Sequence, residues 1–204
     1  MHFILASASP RRKELLGHMG IPFEVMVSET EENFSEKNPV LLTESLSRQK
    51  AEAVVQKMEQ EQRGCGPYCV IGADTVVFAR NVEGTEEILG KPADRSEAEK
   101  MITMLQGKTH TVCTGVTVIM CGGPEERTVT FSEQTKVYVA EMTDAEVSGY
   151  LDTDEPYDKA GAYGIQGIFS KFIEKIEGDY FNVVGLPVHH LYQVLKSCQF
   201  DIGS

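Results

Sequence analysis

Leu5-Ala6-Ser7-Ala8-Ser9-Pro10-Arg11-Arg12-Lys13-Glu14-Leu15-Leu16 is a strand end, a turn and a helix start in one short stretch. The apolar run His2 to Ala6 reads as a strand, and Leu15, Leu16 and Met19 recur at helical spacing. Between them Ser9 stands where an N-cap belongs. Pro10 suits the first helical position, because its missing N–H would have had no intrahelical partner. The helix is therefore expected to start at Pro10. Arg11, Arg12 and Lys13 crowd the end of the helix where the macrodipole disfavours cations by roughly 0.3–1 kcal/mol each. An anion held on the free N–H groups and the two hydroxyls would remove that conflict. A solvated basic turn on a surface helix fits the same residues.

The remainder of the chain narrows the choice of anion. A net charge of −12 over 204 residues repels a nucleic-acid backbone, so a small polyphosphate suits a local basic turn better than DNA. Cys65, Cys69, Cys113, Cys121 and Cys198 are odd in number and contain no CxxC pair, which indicates neither a disulfide framework nor a structural zinc site. No stretch approaches the ~20 apolar residues of a membrane span, and no basic region precedes the short apolar run at the start. A soluble protein of the cytoplasm is expected. The length suits one domain over residues 1–204 with one sizeable core.

Phe23 to Val27 reads as a second strand, followed by an acidic loop from Ser28 to Asn38 with Glu29, Glu31, Glu32 and Glu36. Pro39 to Arg63 is helical in pattern, with Lys50 in its middle, where a solvated lysine is the ordinary reading. Cys69 to Phe78 is an apolar run with one acid inside it. An unpaired carboxylate is costly there, so Asp74 needs partners. It is either an Asp turn between two strands, permitted by Gly72 and Ala73, or a catalytic or metal-binding carboxylate at a strand end.

Further along, Pro92 holds Lys91 in an extended conformation and so gives it a fixed direction. Ser96 with Glu99, and Thr143 with Glu146, read as capping boxes that open helices. His110 to Cys121 and Thr128 to Met142 form a long hairpin, with His110 expected on a strand surface. Gly161, Gly164 and Gly167 mark a loop whose backbone is approached closely by another segment or by a ligand. Ile168 to Ile176 and Asp179 to Val184 read as strands, and Pro187 to Leu195 as a closing helix.

Taken together, Ser7 to Leu16, Gly72-Ala73-Asp74-Thr75-Val76-Val77 and Asp158 to Gly167 closely resemble the Maf-like nucleotide pyrophosphatases, also called septum formation inhibitor proteins. Gly90-Lys91-Pro92 and Asn182 to Pro187 match that family too, so the resemblance spans essentially the whole chain. It implies an α/β fold related to the inosine triphosphate pyrophosphatases, with a curved mixed sheet flanked by helices and two lobes around a central cleft. It also implies hydrolysis of a nucleoside triphosphate to the monophosphate and pyrophosphate, a divalent cation, and a homodimer. On the matching positions, Ser9 and Arg12 fall in the phosphate-binding turn, Glu32 on an active-site acid, Lys50 and Lys91 on phosphate-contacting lysines, and Asp74 on the proton acceptor. Glu29 and Glu31 neighbour Glu32 in the same acidic loop. Three further positions select the base. The family's branch for dTTP and UTP has arginine, threonine and glutamine there, and Arg11, Thr75 and Gln166 follow it at all three.

Charge arithmetic agrees with that assignment. A triphosphate carries about four negative charges, and a carboxylate 4 Å from one of them is repelled by roughly 4 kcal/mol at an effective dielectric of 20. Acids share such a site through a cation, so Glu32 and Asp74 are expected to hold Mg²⁺ or Mn²⁺. Arg12, Lys50 and Lys91 would neutralise the charge that spreads over the phosphates. No cysteine, serine or histidine has a nucleophile's surroundings, which argues against a covalent intermediate. The competing readings are a nucleotide-binding regulator of cell division without turnover, a purine-directed pyrophosphatase of the inosine triphosphate type, and a protein-interaction module.

Overall fold

In the computed structural model, residues 1–27, 36–61, 63, 66–81, 83–123 and 126–198 are described. The opening stretch folds as its residues dictate. β1 (His2–Ala6) ends in a turn, and α1 (Pro10–Gly17) starts with Ser9 as N-cap and Pro10 in its first turn. β2 is Phe23–Val25 and α2 is Pro39–Gln60, capped by the Asn38 side chain, which accepts from the N–H groups of Val40 and Leu41. β3 (Tyr68–Arg80), β4 (Glu86–Leu89), α3 (Arg95–Leu105), β5 (Thr109–Cys121), β6 (Arg127–Val139), α4 (Asp144–Leu151), β7 (Ile173–Glu177), α5 (Tyr180–Val184) and α6 (Val188–Ser197) complete the order. The architecture is mixed α/β. A seven-stranded sheet runs β2-β1-β3-β5-β6-β7, with β4 also paired to β3.

The chain divides into two compact units, one of residues 1–74, 114–133 and 185–204, the other of residues 75–113 and 134–184. In the first unit β1 lies parallel to both β2 and β3, in a register that sets Ala6 beside Gly72. Its core gathers Ile4, Ala6, Val70 and Ile119 from strands with Ala51, Val54 and Met58 from α2. In the second unit β4 runs antiparallel to the second half of β3, from Val77 onward. Met101, Ile102 and Leu105 of α3 pack there with Tyr150, Tyr163, Phe169 and Phe172. Among the described residues no helix is long and apolar enough to cross a membrane.

Several local expectations are corrected. Ile168 to Ile176 is not one strand: Ile168–Phe172 forms a 3₁₀ turn, and β7 begins only at Ile173. Phe169 and Phe172 are both buried, a spacing of three that matches a 3₁₀ period and not strand alternation. Asp179 to Val184 is also not a strand. The Asp179 carboxylate accepts the Phe181 N–H at 2.8 Å and starts α5 instead, the usual ambiguity of a short apolar run. Ser96 does not cap α3; Asp94 does, accepting the Glu97 N–H at 2.9 Å, which leaves Ser96 inside the first turn. His110 is not on a strand surface. It is 2 % exposed, because β5 lies between β3 and β6 and is buried along most of its length. Its Nε2 meets the Tyr163 hydroxyl at 2.8 Å.

Candidate active site

Two facts of packing in the first unit position the residues at the centre of the site. A Cβ on Gly72 would lie 2.3 Å from the Ser47 carbonyl oxygen, and one on Gly115 would lie 2.3 Å from the Thr43 carbonyl carbon. The backbone of α2 therefore rests directly on β3 and β5, at an approach that only glycine permits. Side chains two apart on a strand share a face, so Asp74 faces α2 as Gly72 does. On α2, Ser47 and Ala51 touch the Gly72 position and Lys50 lies on the intervening turn. The Lys50 ammonium consequently donates to Asp74 Oδ1 at 2.5 Å. Asp74 is 8 % exposed, and the lysine is the partner its burial requires.

Neither placement expected for Asp74 is found. It is neither in a turn nor at the end of its own strand, because β3 runs unbroken from Tyr68 to Arg80. It does lie just past the point where β1 stops pairing, since the last pair of that ladder is Ala6 with Gly72. The Ser7–Ser9 turn leaves β1 at that same place. With neighbouring strands about 5 Å apart, the turn and the carboxylate share one end of the β1–β3 ladder.

The turn is itself fixed. Ser7 Oγ accepts the Ser9 N–H at 3.2 Å and an Arg12 Nη1–H at 3.2 Å, and Arg12 Nε donates to the Gly185 carbonyl at 2.9 Å. Ser9 Oγ accepts the Arg12 N–H at 3.4 Å as the helix cap. Arg12 is thus tied both to the turn it follows and to a carbonyl 173 residues away in sequence. Arg11 is half-buried in the same first turn.

In the second unit Thr75 follows Asp74 on β3 and is half-buried, while Lys91 and Gln166 are exposed. The Gly90 carbonyl accepts the Gly161 N–H at 3.0 Å, which ties the Lys91 turn to the glycine loop that carries Gln166. That loop is approached by other parts of the chain: Val77 lies against Gly161, Lys159 against Gly164 and Glu155 against Gly167. Glu32, with Glu29 and Glu31, lies outside the described residues. Among the described residues no three or more His, Cys, Asp or Glu side chains are grouped to hold a metal ion.

Gly115 and Glu155 are not singled out by the sequence, and Ser7 and Gly185 stand in its matched segments without their ties to Arg12 being visible there. A glycine inside an otherwise apolar strand was the available signal for Gly115, as for Gly72. Gly185 and Glu155 act through partners that no local pattern names.

The model of the Maf-like protein family matches residues 2–198. A dTTP/UTP pyrophosphatase of Alkaliphilus oremlandii is 49% identical over 201 residues, covering 98% of this chain and 97% of that protein. Another, from Thermoanaerobacter pseudethanolicus, is 46% identical over 202 residues, covering 99% and 98%. Among solved structures, a HAM1 protein from Coxiella burnetii superposes with a TM-score of 0.49 at 11% identity, over 97% of this chain and 99% of that one. With its family model matched from one end of the fold to the other, and with relatives near half-identical over the same length, the chain belongs to the Maf-like protein family.

Proposed function

We propose that the chain hydrolyses dTTP and UTP to the nucleoside monophosphate and pyrophosphate. The observation that carries this reading is the half-buried Lys50–Asp74 pair beside the Ser7–Ser9 turn, in a chain whose near half-identical relatives bear the name dTTP/UTP pyrophosphatase. A phosphate-binding regulator has no use for a carboxylate beside phosphates, whereas hydrolysis needs a group that takes a proton from water. Asp74 serves that role for attack at the α-phosphorus, with its orientation fixed by Lys50. Ser9, the α1 N-terminus and the anchored Arg12 receive the phosphates. Lys50 and Lys91 add positive charge where the loose transition state spreads negative charge. Arg11, Thr75 and Gln166 select the base. Arg11 and Gln166 together read the pyrimidine edge: the two carbonyls of uracil or thymine accept and N3–H donates, whereas cytosine puts an amine in place of O4 and opposes a donor to a donor, at a cost of ~1–3 kcal/mol.

Mg²⁺ or Mn²⁺ fits the residues present. Such an ion takes one or two carboxylates and fills its shell with phosphate oxygens and water, so the hard oxygens of Asp74 suffice without a larger acidic cluster. Asp74 and Glu32 would hold it, and when bound it supplies charge neutralisation and polarisation at the phosphates. By family resemblance we also read the protein as a homodimer, and from its cysteine usage and net charge of −12 as a cytoplasmic protein whose partner is a free nucleotide and not a nucleic acid.

Pyrophosphate release from UTP, dTTP, CTP, ITP and 7-methyl-GTP, with Mg²⁺, with Mn²⁺ and with chelator, tests the proposal. UTP and dTTP should lead the panel. Asp74→Asn should lower kcat by about 10²–10⁴-fold. A parent protein inert to all five, or an Asp74→Asn protein with parental kcat, would overturn it.

A further inference from the structure

Glu155 opens a short 3₁₀ turn after α4, and its carboxylate reaches thirteen residues forward to the far side of the glycine loop. Oε2 accepts the Ile168 N–H at 2.5 Å, and Oε1 accepts the Phe169 N–H at 3.2 Å and the Tyr150 hydroxyl at 3.2 Å. The Tyr150 hydroxyl is also 3.1 Å from the Ala162 carbonyl. Burial, with Glu155 beside it, pushes the Tyr150 phenol upward, so it remains a protonated donor. A Cβ on Gly167 would fall 2.0 Å from Oε2, so the carboxylate occupies the space a side chain would need. The Gly167 N–H closes on the Gly164 carbonyl at 3.2 Å. Residues 164–168 therefore form a small arch with its downstream end fastened to one carboxylate, and Gln166 is at its exposed crown.

We propose that Glu155 is a positioning residue for base selection: it sets where Gln166 is presented and so acts on substrate choice without touching substrate. The inference rests on the reading of Gln166 as a base-selecting residue. Its chemistry is specific to a carboxylate. All three groups that meet it are donors, and a carboxylate is an acceptor at every lone pair, whereas an amide in its place turns an N–H₂ toward at least one of them. The neutral isostere therefore shifts the arch while keeping the volume.

The experiment compares kcat/KM for UTP and CTP, with Mg²⁺ present, in the parent, Glu155→Gln, Gln166→Ala and the double variant. In Glu155→Gln the UTP-to-CTP ratio should fall roughly tenfold, because a misplaced contact group loses much of its discrimination. Glu155→Gln should change the ratio no further once Gln166→Ala is present, a non-additivity that a general loss of stability does not produce. A ratio moved by Gln166→Ala but left at the parental value by Glu155→Gln overturns this inference alone. A ratio left unmoved by Gln166→Ala, or a parent without turnover of UTP, overturns the reading of Gln166 and this inference with it. Should Glu155→Gln fail to fold, Tyr150→Phe removes one of the three donors, and a parental ratio in that variant overturns the inference in the same way.

Discussion

Replacing Gly72 by alanine probes the seat of α2 directly. The added Cβ would lie 2.3 Å from the Ser47 carbonyl oxygen and 3.0 Å from both the nitrogen and Cβ of Ala51. Ordinary contact starts at 3.4 Å, so the helix backbone has to withdraw by about 1 Å in an interior with few voids to take up the strain. Overpacking of this kind costs about 1–3 kcal/mol. At roughly 2–4 °C per kcal/mol for a chain of this length, Tm should fall by several degrees. Lys50 rides on the displaced turn, and its 2.5 Å contact with Asp74 opens. On the proposed role of this pair, misplacing the contact by that distance costs up to about a hundredfold in rate, and the flexible lysine stem recovers part of it, so kcat should drop roughly ten- to a hundredfold. Thermal unfolding and pyrophosphate release from UTP, measured on the same preparation, report both effects. An alanine variant with parental Tm and parental kcat would refute the account of how Lys50 reaches Asp74.

Arg12→Lys should raise KM for UTP roughly tenfold, since a lysine cannot hold the Gly185 carbonyl and Ser7 Oγ in the geometry of the guanidinium fork; an unchanged KM would show that the anchors do not matter. Burial lowers the His110 pKa from 6.5 to about 3, so the folded chain refuses a proton that the unfolded chain accepts. Stability contributed by the neutral ring is whole above about pH 6.5 and is lost as pH falls toward 3, with a slope of one proton. Urea titrations between pH 6 and 4 should show that slope in the parent and its loss in His110→Phe, and parallel slopes would contradict the assignment.

How much the chain discloses before it folds depends on how local each feature is. The start of α1 was plain because Ser9 and Pro10 carry their own grammar, and Thr143 with Glu146 capped α4 for the same reason. Lys50 was different: nothing in its helix separates it from a solvated lysine, and its meaning comes from Gly72 and Gly115 bringing α2 down onto two strands. Asp74 announced itself by the cost of its burial, although the strand it interrupts chemically is not interrupted structurally. Ile168 to Ile176 and Asp179 to Val184 carry a strand-like pattern and fold otherwise, because a few apolar residues suit a strand or a helical turn equally until their neighbours are known. Glu155 stood in an acidic run, Asp152 to Asp158, that looks like solvated surface, and its three donors lie on other segments.

The bond between Arg12 and the Gly185 carbonyl has a consequence for biosynthesis. At about 5–20 residues per second, the ribosome delivers that carbonyl roughly ten to thirty seconds after the arginine. The Ser7–Ser9 turn therefore emerges well before the carbonyl that ties down its arginine. Until translation has passed residue 185, a nascent chain lacks the carbonyl that takes the Arg12 Nε–H, so this contact forms only after synthesis has run 173 residues beyond the arginine.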